Sequence, residues 1–152
     1  CREAGVTMCL EIVNRFEQYT ANTAEEGIAV CEAIGSEYCK LLLDTFHMNI
    51  EEDYIPDAIR TAHERDIWAI FILEKATGRF LPVEERPILT GKPLQRRSKE
   101  IGFEGPLVME PFVLNTSASA KSVSLWRAIK PADDIDGLVA DAAAGVKYLK
   151  SL

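Results

Sequence analysis

Short apolar runs alternate along the chain with amphipathic stretches. Val6-Thr7-Met8-Cys9-Leu10-Glu11-Ile12-Val13 is nearly continuous in apolar residues and is closed by polar ones. That pattern predicts a strand covered on both faces. Thr23-Ala24-Glu25-Glu26 is a capping box: the Thr23 hydroxyl can take the Glu26 amide while Glu26 reaches back. The helix it starts carries Ala24, Ile28, Cys31 and Ile34 at helical spacing and ends at Gly35. Tyr38 to Asp44 predicts a second buried strand. A helix is expected from about Ile50 to Arg65, with Glu51, Glu52 and Asp53 in its first turn, where the helix dipole favours acids. Ile67 to Leu73 and Pro106 to Phe112 are a third and a fourth apolar run. The last helix, about Asp134 to Leu149, places Ile135, Leu138, Val139, Ala142, Val146 and Leu149 on one stripe.

Strand followed by helix, four times over, points to parallel βαβ units. Four units do not easily cover a parallel sheet on both faces and close it. They match half of an eight-unit barrel. The expected class is therefore α/β, with residues 1–152 as one partial-barrel domain. Residues 74–98 stand apart, being charged, rich in proline and glycine, and without a clear period. A structureless stretch of that length is unusual inside a compact domain.

Composition narrows the classes. The chain is 47% apolar and 27% charged, as in ordinary globular proteins, which excludes a disordered or low-complexity reading. No apolar run approaches the ~18 residues of a membrane span. Seventeen basic against 24 acidic residues give a net charge of -7, which argues against a nucleic-acid partner. The one basic cluster, Lys92, Arg96, Arg97 and Lys99, reads as a solvated surface segment. The chain opens Cys1-Arg2-Glu3, with no basic-then-apolar leader, so a piece of a longer cytoplasmic protein is expected. None of the four cysteines forms a C-x-x-C pair. Cys9, Cys31 and Cys39 are expected to act as small core hydrophobes in a reducing compartment.

Candidate chemistry lies at the strand ends. In a parallel α/β barrel the reacting groups project from the carboxyl ends of the strands. Three of the apolar runs carry an acid at or near that end: Glu11, Asp44 and Glu110. Burying one carboxylate without a partner costs several kcal/mol, roughly. Three that converge repel one another unless a cation lies between them, and a hard or borderline divalent ion suits oxygen ligands. His47, three residues after Asp44, can add an imidazole from the loop above the strand. His63 is expected on the surface of its helix, and Trp68 and Trp126 are expected to pack.

Three words of the chain are familiar. Leu10-Glu11-Ile12-Val13-Asn14-Arg15-Phe16-Glu17, Leu43-Asp44-Thr45-Phe46-His47-Met48-Asn49 and Val108-Met109-Glu110-Pro111-Phe112 resemble the ketose 3-epimerases, a group that includes the D-tagatose and D-psicose 3-epimerases of the sugar phosphate isomerase/epimerase superfamily. Asn22 to Gly27 and Trp126-Arg127 also fit, and the likeness covers about residues 4–70 and 99–152. The resemblance implies the C-terminal half of a TIM (β/α)8 barrel. It implies Glu11, Asp44 and Glu110 as metal ligands, with Mn²⁺ or Co²⁺ as the expected ion and Mg²⁺ as a further candidate. Glu11 and Glu110 would also be the acid/base pair, and Glu17 and His47 would contact substrate hydroxyls. The implied reaction inverts the C3 stereocentre of a ketose through an enediolate. One glutamate takes a proton from one face and the other returns one to the opposite face. The full-length protein is expected to be a homo-oligomer. Hydroxypyruvate isomerase-like and inosose dehydratase-like enzymes are the nearest alternatives. An inactive fragment is a third reading, and a phosphodiester-cleaving endonuclease on the same barrel a distant fourth.

One stretch departs from the family. Where its seventh strand ends in a word like His-Thr-Gly-Glu-x-Asn-Arg, which supplies a fourth metal ligand and a substrate-binding Arg, this chain has Phe71-Ile72-Leu73-Glu74-Lys75-Ala76-Thr77-Gly78. Those residues can be encoded TTC ATA CTG GAG AAA GCA ACC GGN. Read from the third base, the same string gives His-Thr-Gly-Glu-Ser-Asn-Arg. Residues 71–97 are thus expected to be an out-of-frame translation of the family word, with true divergence as the alternative.

Overall fold

The computed structural model describes residues 1–72, 100–110, 115, 116, 118–122, 128 and 130–151. The atypical stretch 74–98, and Trp126, lie outside the described residues. Strands β1 (Met8–Ile12), β2 (Cys39–Asp44), β3 (Trp68–Ile72) and β4 (Leu107–Val108) form one parallel sheet in the order β1-β2-β3-β4. Helix α1 (Ala24–Ile34) joins β1 to β2, and α2 (Thr45–Glu51) and α3 (Ile55–Glu64) join β2 to β3. Helices α4 (Ala118–Ser122) and α5 (Ile135–Ser151) follow β4. This is the parallel α/β half-barrel pattern that the alternation predicted.

Register explains the burial. Leu10 pairs with Leu41 and Ile12 with Leu43, so these side chains share the helix-covered face. Ile12, Leu41, Leu43, Ile28, Cys31 and Ile59 form the core there, with Leu41, Leu43 and Ile59 wholly shielded from solvent. Helix α1 can approach this closely because position 27 is glycine. A Cβ at Gly27 would lie 2.4 Å from Ile12 Cδ1 and 2.9 Å from Leu41 Cδ2. Glu11 pairs with Leu42 and so shares the opposite face with Leu42 and Asp44. Cys9, Glu11, Lys40 and Leu42 on that face are only half-buried. The expectation of strands covered on both faces holds in full for one face alone, because among the described elements only α2 lies over the other, at the strand ends where Asp44 is buried. For the same reason Cys9 is not a core residue, whereas Cys31 and Cys39 are, with their sulfurs 3.6 Å apart as free thiols.

Four local expectations hold and two need correction. The Thr23 capping box forms in both directions, and Gly35 ends α1 in the left-handed region at φ 62°. His63 is exposed, and Trp68 packs, its ring 3.9 Å from that of Phe103 and nearly parallel to it. The helix expected from Ile50 is instead two helices. Asp44 caps α2 directly at the end of its strand, and Pro56, which has no amide hydrogen, fits only the first turn of α3. Glu51 therefore closes α2 rather than opening the next helix. The apolar stripe of α5 is not buried as expected: Ile135, Val139 and Val146 are exposed, and no described element covers them.

Candidate metal centre

Glu11 is the penultimate residue of β1 and Asp44 the last of β2, so parallel pairing brings both to the carboxyl end of the sheet. Asp44 Oδ1 accepts the Phe46 amide at 2.9 Å and so starts α2. That cap sets His47 in the first turn, back over the strand ends. His47 Nε2 lies 3.8 Å from Glu11 Oε1 and 3.8 Å from Asp44 Oδ2. One donor atom from each of Glu11, Asp44 and His47 falls within 4.8 Å of the others. Asp44 and His47 are buried, and Glu11 is half-exposed toward the open face.

The segment after β1 forms the rim. Asn14, 2% exposed, donates its backbone amide to His47 Nδ1 at 3.2 Å. Its side-chain nitrogen lies 2.8 Å from the same Nδ1 and donates to Glu17 Oε1 at 2.8 Å. Its carbonyl oxygen accepts the Phe16 amide at 2.9 Å, which fixes which end of the amide is which. Arg15 anchors the segment to the end of α2, reaching Glu51 through its backbone amide at 2.6 Å and its guanidinium at 2.7 Å. Asn22 donates to the Val13 carbonyl at 2.8 Å and holds the other side.

Electrostatics at this point are adverse without a cation. Burial pushes Asp44 up to about 7. The Phe46 amide opposes the shift, and the negative charges of Glu11, Glu110 and Glu17 add to it. Burial also raises Glu11, followed by Glu110 and Glu17. His47 is lowered by burial, against the pull of Glu17 and Glu51, so its ring favours the neutral form. Glu110 is exposed, two residues beyond β4, and its charge acts on both Glu11 and Asp44. Among the described residues the only ion-pair partner of Asp44 is His47. Two oxygens bound to one divalent ion at ~2.1 Å stand at most about 4.2 Å apart. The 4.8 Å cluster fits such an ion after a small closure.

Of the residues singled out in the sequence, the structure gathers Glu11, Asp44, His47 and Glu17 and leaves Glu110 on the rim, within electrostatic reach. Asn14 was missed, as were the anchoring roles of Arg15 and Glu51. One signal was available: Asn14 is a polar residue two places beyond a buried strand end, between two acids of the site.

The xylose isomerase-like TIM-barrel model matches residues 1–132. The chain belongs to that family. It is 34% identical over 152 residues to a D-psicose 3-epimerase of Agrobacterium fabrum, an alignment covering 96% of this chain and 49% of that protein. It is 37% identical over 145 residues to a D-psicose 3-epimerase of Ruminiclostridium cellulolyticum, covering 95% and 47%. The solved D-psicose 3-epimerase of Clostridium cellulolyticum H10 with D-tagatose superimposes with a TM-score of 0.87 at 35% identity, covering 99% of this chain and 50% of that one. The chain thus spans about half the length of the relatives it matches, and the resemblance to ketose 3-epimerases is borne out.

Proposed function

We propose that the chain is the metal-binding half of a ketose 3-epimerase, with Glu11, Asp44 and Glu110 holding a divalent ion and a small ketose as substrate. The single observation that carries this reading is the cluster of Glu11, Asp44 and His47 at the carboxyl ends of two adjacent strands, with the charge of Glu110 bearing on it. The ion, Mn²⁺ or Co²⁺ before Mg²⁺, supplies Lewis-acid stabilisation of negative charge on substrate oxygens. Glu11 and Glu110 come from strands at opposite ends of the sheet order and serve as the acid/base pair. One accepts the C3 proton, leaving an enediolate, and the other delivers a proton to the opposite face. Glu17 and His47 hold substrate hydroxyls.

A second reading has an observation of its own. Among the described residues β1 pairs only with β2 and β4 only with β3, so both sheet edges are open. A chain that stays in this state is an inactive half of such a barrel. A complete barrel needs a second half, and we propose a homo-oligomer for the full-length protein. Metal titration separates the two readings. The epimerase reading expects saturable Mn²⁺ or Co²⁺ binding by the 152-residue chain and its loss in Glu11→Gln. In a barrel completed by its other half, it expects D-fructose/D-psicose interconversion to fall by at least ~10²-fold in Glu11→Gln or Glu110→Gln. Absence of divalent binding by the chain rejects the epimerase reading for it.

A further inference from the structure

We infer that Asn14 is a positioning residue that locks His47 in the tautomer bearing its proton on Nε2, which makes His47 a hydrogen-bond donor at the acidic cluster rather than one of its metal ligands. The reasoning needs only the hydrogen bonds. A backbone amide can only donate, so the Asn14 amide 3.2 Å from His47 Nδ1 requires a lone pair there. The Asn14 side chain reinforces it. Its oxygen is committed to the Phe16 amide at 2.9 Å, so the group 2.8 Å from Nδ1 is the NH₂, a second donor. Two donors facing one ring nitrogen exclude a proton on it. A neutral imidazole then carries its hydrogen on Nε2, the nitrogen 3.8 Å from both Glu11 Oε1 and Asp44 Oδ2.

This bears on the cation. An imidazole ligates through a bare nitrogen. The bare one here faces Asn14, and the one that faces the acids is protonated. His47 has the spacing of a ligand and the protonation of a donor. The ligand set from this face is therefore carboxylate oxygen. The same Asn14 NH₂ donates to Glu17 Oε1 at 2.8 Å, so one amide orients both residues that the epimerase reading assigns to substrate hydroxyls. That catalytic meaning rests on the proposed function; the tautomer does not.

The test is long-range ¹H–¹⁵N correlation NMR on the 152-residue chain with ¹⁵N-labelled histidine, with His47 told from His63 by a His63→Gln variant. The expected wild-type pattern is a protonated Nε2 and an unprotonated Nδ1. Asn14→Asp keeps the shape and the backbone amide but replaces the nearer donor, at 2.8 Å, with an ionised acceptor that outweighs the amide at 3.2 Å, and the expected pattern moves to a protonated Nδ1. Added Zn²⁺, which takes imidazole readily, is expected to leave the Nε2 proton in place in wild type and to bind the bare Nε2 in Asn14→Asp. A protonated Nδ1 in wild type overturns the inference, as does an Asn14→Asp spectrum identical to wild type. Should Asn14→Asp fail to fold, the wild-type spectrum decides alone. An unbound chain with the Nε2–H pattern rejects the epimerase reading and keeps the tautomer; a metal-binding chain with Nδ1–H does the reverse.

Discussion

Asp44 carries two jobs whose demands conflict. Its Oδ1 caps α2 while its burial among acids pushes its carboxyl up to about 7 from an ordinary 3.8. Between those values the folded chain keeps a proton that the unfolded chain has lost. By linkage, the stability contributed by Asp44 falls as pH rises through that window and is least above it. Asp44→Asn keeps the cap, because asparagine is an equally good N-cap, and removes the titration. In chelator, the variant is expected to gain clearly more urea midpoint over wild type at about pH 8 than at about pH 5, and little only below the unfolded value of 3.8. An equal shift at both pH values rejects this account. A bound divalent ion should erase the wild-type slope, since it replaces the proton. The residue types of this site were legible because carboxylates inside apolar runs need a reason. The hydrogen bonds of Asn14 were not, since nothing in a sequence says which way an amide turns.

At the scale of elements, α1 is fastened to the sheet by a missing side chain and started by a present one. Gly27→Ala gains about 1 kcal/mol of helix propensity. It also drives a Cβ to 2.4 Å from Ile12 Cδ1 in a filled core, and overpacking of that kind costs about 1–3 kcal/mol. The net expectation is a loss of about 1 kcal/mol in urea unfolding, and a stabilised Gly27→Ala contradicts the packing argument. Thr23→Ala removes the hydroxyl that accepts the Glu26 amide and is expected to cost about 1 kcal/mol by the same measurement. The capping box and Gly35 were readable because both are local chemistry. The split of the second crossover into α2 and α3 was signalled by Pro56. It was hidden by acids at 51–53 that suit a helix start equally well. Glu51 also bonds Arg15 across 36 positions, and no local pattern carries that contact.

For the whole molecule, order and direction of the strands followed from alternation alone, whereas the burial of their second face did not. Met8, Leu107 and Val108 on the edge strands are 45%, 39% and 41% exposed, and the α5 stripe is open as well. An apolar pattern states that a face is meant to be covered, not by which chain. The isolated chain is expected to associate with rising concentration in sedimentation experiments, through edges that parallel strands rarely leave bare. A monodisperse monomer throughout the micromolar range contradicts this. The proposed reading-frame slip in residues 71–97 is a matter for the gene. If no single shift of its DNA restores the His-Thr-Gly-Glu-x-Asn-Arg word, divergence is the answer.

The face-to-face rings of Trp68 and Phe103 join the start of β3 to the turn ahead of β4. They make the attachment of the last strand optically readable. Light absorbed by that indole senses a neighbour contributed from 35 positions away, so near-ultraviolet dichroism and Phe103→Leu provide a gauge of whether the fourth strand has docked. That gauge works with no sugar, no ion and no turnover.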